Sequence, residues 1–146
     1  MDATTKMSEL YIFLIERSFR SIRRYSNREF AKFGYDISVE QWIVLKQVSE
    51  HPKTTQRQIS AATNKDPASV TRILDLLEKR TLVERTTGVD RRSFGVLLTE
   101  KGEALVDQIL PKALKIRKKG IHGFTDEEEK QLVDLLQRVY ANFNDK

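Results

Sequence analysis

The 146-residue chain contains no cysteine. Disulfides, thiolate metal sites and cysteine-based redox sensing are thereby excluded for this chain. Long hydrophobic runs are missing as well: the longest, Tyr11 to Ile15, falls far short of the ~20 residues that a membrane-spanning helix needs. The opening Met1-Asp2-Ala3-Thr4-Thr5-Lys6 has no basic segment followed by an apolar core, so it does not read as a signal peptide. Catalytic signatures are also scarce. The only histidines, His51 and His122, lie far apart, no glycine-rich phosphate loop follows a strand, and no carboxylate pair stands in a catalytic setting. Asp126-Glu127-Glu128-Glu129 are consecutive at a helix start, so they point different ways and complement the helix dipole rather than converge on a metal. The expectation is a cytoplasmic, non-enzymatic chain without a cofactor or a membrane partner.

What is present supports a folded domain. Apolar residues make up 39% of the chain, enough for a core, and 32% are charged; disordered chains are poorer in Leu, Ile, Val and Phe. The formal charge is 26 − 21 = +5, a sign that suits a polyanionic partner but proves none.

Along the chain, Ser8 is placed to cap a first helix running towards Phe33, and Gly34 to end it. Apolar Leu10, Phe13, Leu14, Phe19 and Ile22, widened by Ile12 and Ile15, cover more than one side, so this helix calls for more than one packing partner. Ser38 and Gln41 form a capping box for a second helix, Val39 to Glu50, with Trp42, Ile43, Leu45 and Val48 as its buried side and Pro52 closing it. Thr54 or Thr55 starts a short helix through Ile59 and Ala62. After the turn Thr63-Asn64-Lys65, Asp66 caps a further helix with Pro67 in its first turn. There Val70, Ile73, Leu74 and Leu77 share one face, and Ala68, Ser69, Thr71, Arg72, Asp75 and Lys79 the other. Leu82 to Thr86 and Phe94 to Leu98 read as two short strands around a polar turn, Thr87 to Ser93. Thr99-Glu100 restarts a helix that Pro111 is expected to kink, and Thr125 with Glu128 is a capping box for the last one. The expected fold class is mainly α with a small β-hairpin wing.

A short helix, a tight turn and an amphipathic second helix make a helix-turn-helix, whose outward face suits the major groove of DNA. Ala68, Ser69, Thr71 and Arg72 combine small size with hydrogen-bonding groups. Arg72 is the candidate base reader, because a guanidinium can pair with both acceptors of one guanine. The hydroxyls of Ser69 and Thr71 and the chain near Thr55 and Gln56 suit phosphates; Thr54, Arg57 and Lys65 complete this set of candidates. A hairpin beyond such a helix carries Asp90-Arg91-Arg92 at its tip. Arginines there respond to the potential of a narrow minor groove, and Asp90 is suited to orienting Arg92.

Several segments resemble the MarR family of bacterial winged helix-turn-helix regulators. They are Asp66-Pro67-Ala68-Ser69-Val70-Thr71-Arg72-Ile73-Leu74-Asp75-Leu76-Leu77-Glu78-Lys79-Arg80, Leu82-Val83-Glu84-Arg85, Asp90-x-Arg92 and Leu98-Thr99-Glu100-Lys101-Gly102. The resemblance covers nearly the whole chain, 1–146, as one domain, with a winged core at 37–99 and dimerisation helices at 8–34 and 100–144. It implies a homodimeric regulator, more often a repressor, on a pseudo-palindromic site of double-stranded DNA. The apolar excess of the first and last helices, including Phe13, Phe19, Leu132, Leu136, Tyr140 and Phe143, independently calls for a partner. Many relatives also bind small anionic or phenolic effectors in a cleft. Arg20, Arg24, Tyr25, Trp42 and His51 are of the kind that line one, although aromatics at helical spacing are more often core and arginines more often solvated. One departure stands out: Thr81 occupies the place of a glycine usual between recognition helix and wing, so a locally different turn is expected. The rival reading is a winged-helix protein-interaction module that does not bind DNA; Arg72, Arg91 and Arg92 argue against it.

Overall fold

The computed structural model describes residues 4–86 and 94–145. Two compact units divide the chain, Met1–Leu110 and Pro111–Lys146.

In the first unit, α1 spans Tyr11–Lys32 and α2 Val39–Glu50; β1 (Thr54–Thr55) leads into α3 (Gln56–Thr63) and α4 (Pro67–Lys79), and β2 (Val83–Arg85) and β3 (Gly95–Leu98) precede α5, Glu100–Gly120. Ser8 does not cap α1. It lies inside a separate 3₁₀ turn, Met7–Glu9, and the extended Leu10 occupies the cap position without a side-chain bond. The other end behaves as expected: Gly34, at φ +77°, returns its N–H to Ala31 and Tyr35 to Phe30, while the two aromatic rings meet edge-on at 5.7 Å.

Ser38 and Gln41 form the reciprocal capping box of α2. That helix buries Trp42, Val44, Leu45 and Val48, while Ile43 is only half-buried. Elements pack on several sides of α2, so its buried surface is broader than a single stripe. Val44, Leu45, Ile59, Val70, Leu77 and Ile109 are completely buried and form the centre of the core, each contributing roughly 1.5–3 kcal/mol relative to exposure.

Among the described residues the sheet has three strands, in the order β1-β3-β2, rather than the two of a simple hairpin. Thr54 faces Val96 and Thr55 faces Gly95 on one side of β3; on the other, Val83, Glu84 and Arg85 pair with Leu98, Leu97 and Val96, all antiparallel. Two residues are too few for alternation to be visible in the sequence, so β1 reads there only as the start of a helix.

Helix α5 continues through Pro111, at the point where the two units divide. In the second unit, Thr125 and Glu128 form the capping box of α6, Asp126–Phe143. Arg117 pairs with Glu129 at 2.6 Å, so the acidic first turn serves the helix end and an ion pair. No residue of α6 is buried within the chain; Leu132, Val133, Leu135, Leu136, Tyr140 and Phe143 are all exposed.

Candidate nucleic-acid interface

The putting-together of α3 and α4 follows from local chemistry. Thr55 caps α3 by accepting the Gln58 N–H at 3.1 Å, and the Gln58 side chain returns to the Thr55 N–H at 2.9 Å. Asn64 ends α3 in the left-handed conformation, φ +52°, a region that Asn tolerates better than most residues. The Ser60 hydroxyl donates to the Lys65 carbonyl at 2.5 Å and closes the turn. Pro67 then opens α4, where its missing N–H costs no helical hydrogen bond.

On α4, Val70, Leu74 and Leu77 are buried and Ile73 is half-buried, so the opposite face is turned outward. Ala68 and Arg72 are exposed there. Arg72 donates through Nη2 to the Ser69 hydroxyl at 3.1 Å, which draws the guanidinium back along the helix. Asp66 makes no capping hydrogen bond, but the Ser69 hydroxyl beside it, then the Ser69 backbone, holds its carboxyl below the ordinary aspartate range, with Arg72 adding a smaller effect.

Thr71 and Gln56 meet: the Gln56 amide donates to the Thr71 hydroxyl, and that hydroxyl donates to the Pro67 carbonyl at 2.9 Å. With its proton so used, the Thr71 oxygen is left as an acceptor, which suits a base amino group better than a phosphate. Arg57 is exposed and Lys65 half-buried beside the turn. Thr54 is a different case. It is 4% exposed, lies in β1 and contacts Gln58 at 3.4 Å, so its side chain has no surface to present to a ligand. Asp90, Arg91 and Arg92 lie outside the described residues.

Arg85, named in the sequence only within the Leu82-Val83-Glu84-Arg85 segment, has no site role there. From β2 it reaches α4 and pairs with Asp75 at 2.9 Å and Glu78 at 3.1 Å. A signal existed: strand alternation puts Arg85 on the same side as buried Val83, with exposed Glu84 opposite.

Behind the interface, Thr81 keeps the left-handed turn that its glycine-like position demands, φ +58°, so the expected local difference is absent. Its N–H bonds the Glu78 carbonyl at 2.9 Å and that of Leu82 the Leu77 carbonyl at 2.9 Å, the pattern that normally closes a helix on glycine. Arg80 reaches back to the Asp36 carbonyl, and Lys101 donates to the Arg80 carbonyl at 3.0 Å. Of the residues considered for an effector cleft, Trp42 belongs to the core, edge-on to Phe30 at 6.4 Å. Arg20 pairs with Glu16 at 2.7 Å, Tyr25 is half-buried, and Arg24 and His51 are exposed.

A helix-turn-helix joined to a small antiparallel sheet, two of whose strands follow its second helix, defines a winged-helix protein. The model of the MarR family matches residues 35–93, from just after α1 to just before β3. Over those residues the chain is similar to the MarR family, and the solved structures it resembles are transcriptional regulators. Similar solved structures span almost the whole chain. A MarR/EmrR family transcriptional regulator from Acinetobacter sp. ADP1 is 20% identical, covers 97% of this chain and 100% of its own, and superposes with a TM-score of 0.89. CouR from Rhodococcus jostii RHA1, bound to p-coumaroyl-CoA, is 26% identical over 93% of this chain and 95% of its own, with a TM-score of 0.82. A MarR family regulator from Listeria monocytogenes, complexed with a 26mer DNA, is 24% identical over 94% of this chain and 91% of its own, with a TM-score of 0.85. Among the described residues, no helix is long and apolar enough to cross a membrane.

Proposed function

We propose that this regulator is a homodimeric, cytoplasmic repressor that occupies a pseudo-palindromic operator and leaves it when a small effector binds. The observation that carries this reading is the outward face of α4, where exposed Arg72 and Ala68 lie beside the half-buried hydroxyls of Ser69 and Thr71. Arg72 reads a base. Thr55, Gln56, Arg57 and Lys65 lie along the phosphates, and Arg91 and Arg92, with Asp90, reach the minor groove. The Listeria relative on its 26mer DNA supports DNA as the ligand.

Dimerisation is supported by apolar surface left open on α1, with Ile12 60%, Phe19 54% and Ile22 56% exposed, and separately on α6, with Phe143 72% exposed. Residues 37–99 form the reading head, and 8–34 with 100–144 form the dimerisation region. A two-fold pair presents two recognition helices about 34 Å apart, one turn of DNA. The CouR complex with p-coumaroyl-CoA supports an effector of anionic or phenolic character. Such a ligand works only through a difference in affinity between DNA-fitting and DNA-excluding dimers.

Genome-wide capture of bound fragments, followed by titration of the recovered duplex at rising salt, tests the reading. Affinity should fall steeply as log salt rises. Indifference to every duplex at low salt would leave the protein-interaction module as the better account.

A further inference from the structure

Arg72 and Asp75 stand three residues apart on the exposed side of α4, close enough to pair with each other. A base-reading arginine that is held by its own helix's aspartate is lost to DNA. Instead, Asp75 is engaged by Arg85 at 2.9 Å, and the same guanidinium holds Glu78 at 3.1 Å. Arg72 makes its contact on the other side, with Ser69 at 3.1 Å. The Arg85 side chain is 26% exposed, against 61% for Asp75 and 45% for Glu78, so the cation is the most enclosed of the three. Its backbone is anchored in the β2–β3 ladder opposite Val96.

We propose that Arg85 is a positioning residue for DNA reading: it ties β2 to α4 and occupies Asp75, so that Arg72 remains available to a base. Removing Arg85 leaves two unpaired carboxylates on a helix that must approach phosphates, and one of them is within reach of Arg72. The cost falls first on sequence preference, because the captured group is the base reader. Removing Asp75 at the same time frees Arg72 again.

This inference rests on the DNA-reading role proposed above, and its test separates the two. Full-length wild type, Arg85→Met and Arg85→Met/Asp75→Asn are titrated with duplexes that the wild type selects from a randomised pool, and with a scrambled duplex. Arg85→Met should lose sequence preference by roughly tenfold or more, the loss expected for one bidentate base contact. The double variant should recover most of that preference. In DNA-free protein, Arg85→Met should also speed exchange of the Thr86 amide, which donates to Gly95 at 2.7 Å, with exchange in α2 unchanged. If the double variant stays as indiscriminate as Arg85→Met, and the slope of log affinity against log salt drops by about 0.9, Arg85 is a phosphate contact and the proposal fails. Unchanged preference and exchange in Arg85→Met would overturn it too. If the wild type selects no duplex, the DNA-reading role itself fails, and the exchange measurement still judges the tie between β2 and α4.

Discussion

The Thr99 hydroxyl donates to the carbonyl of Thr81 at 2.5 Å, and its oxygen accepts the Gly102 N–H at 3.0 Å. One side chain thus joins the end of α4 to the beginning of α5. The Thr99 N–H adds a bond to the Leu82 carbonyl at 3.1 Å. Between them, these bonds hold Thr81 in a conformation that a β-branched residue adopts only under constraint.

Thr81→Gly should therefore stabilise the protein. Relief of left-handed strain is worth about 1–2 kcal/mol, offset by about 0.4–1 kcal/mol of added chain freedom in the unfolded state. The net gain, roughly 0–1.6 kcal/mol from these two ranges, should appear as a higher melting temperature at fixed protein concentration. A lower one would mean that the Thr81 side chain contributes more than its strain costs.

Gly102→Ala should act in the opposite direction. A Cβ there would fall well inside contact distance of the Leu82 carbonyl oxygen, and that backbone is held by Thr99. A loss of about 3 kcal/mol or more is expected, at the upper end of overpacking effects. Chemical denaturation would measure it, and a loss below ~1 kcal/mol would show that α5 shifts freely.

Acidity at the head of α4 offers a test of the Asp66–Ser69–Arg72 arrangement. The Asp66 carboxyl titrates below the ordinary aspartate range, chiefly through Ser69. For a depressed acid, the associated stability is present above the unfolded-state pKa and lost as pH falls through the folded one. This group thus adds no pH dependence near neutrality. Ser69→Ala should raise the Asp66 pKa more than Arg72→Ala does, as read by carboxyl-carbon NMR titration; the reverse order would assign the effect to charge.

Arg72→Ala should flatten base preference, costing about 1–3 kcal/mol at the preferred operator and little on scrambled DNA. Arg92→Ala should instead weaken binding to many sequences alike. Parallel titrations on both duplexes would distinguish them. Equal affinity in wild type and both variants would remove these residues from the interface.

Thr55→Ala carries a warning for such experiments. Its hydroxyl caps α3, so a stability loss of about 1 kcal/mol should accompany any loss of affinity. Thr55→Ser, which keeps the capping oxygen, should restore the melting temperature. Failure to do so would show that packing of the methyl group matters more than the cap.

Much of this protein was written locally. The capping boxes at Ser38 and Thr125, Pro67 in the first turn of α4, and the buried Val70, Leu74 and Leu77 each depend on residues a few positions apart. Periodicity and cap chemistry are therefore enough to reveal them. The outward placement of Ala68 and Arg72 follows from the same helix, and so was legible in advance.

What tertiary structure alone decided lies between distant segments. The pairing of Thr54 with Val96 turned a candidate ligand contact into a buried strand residue. The closure of β2 on α4 gave Arg85 its two carboxylates. The sequence by itself determined which helices form and which faces they offer, because those energies arise within a turn or two of chain. Which face meets which, and which charges are thereby engaged, is set by long-range packing that no short window of residues encodes.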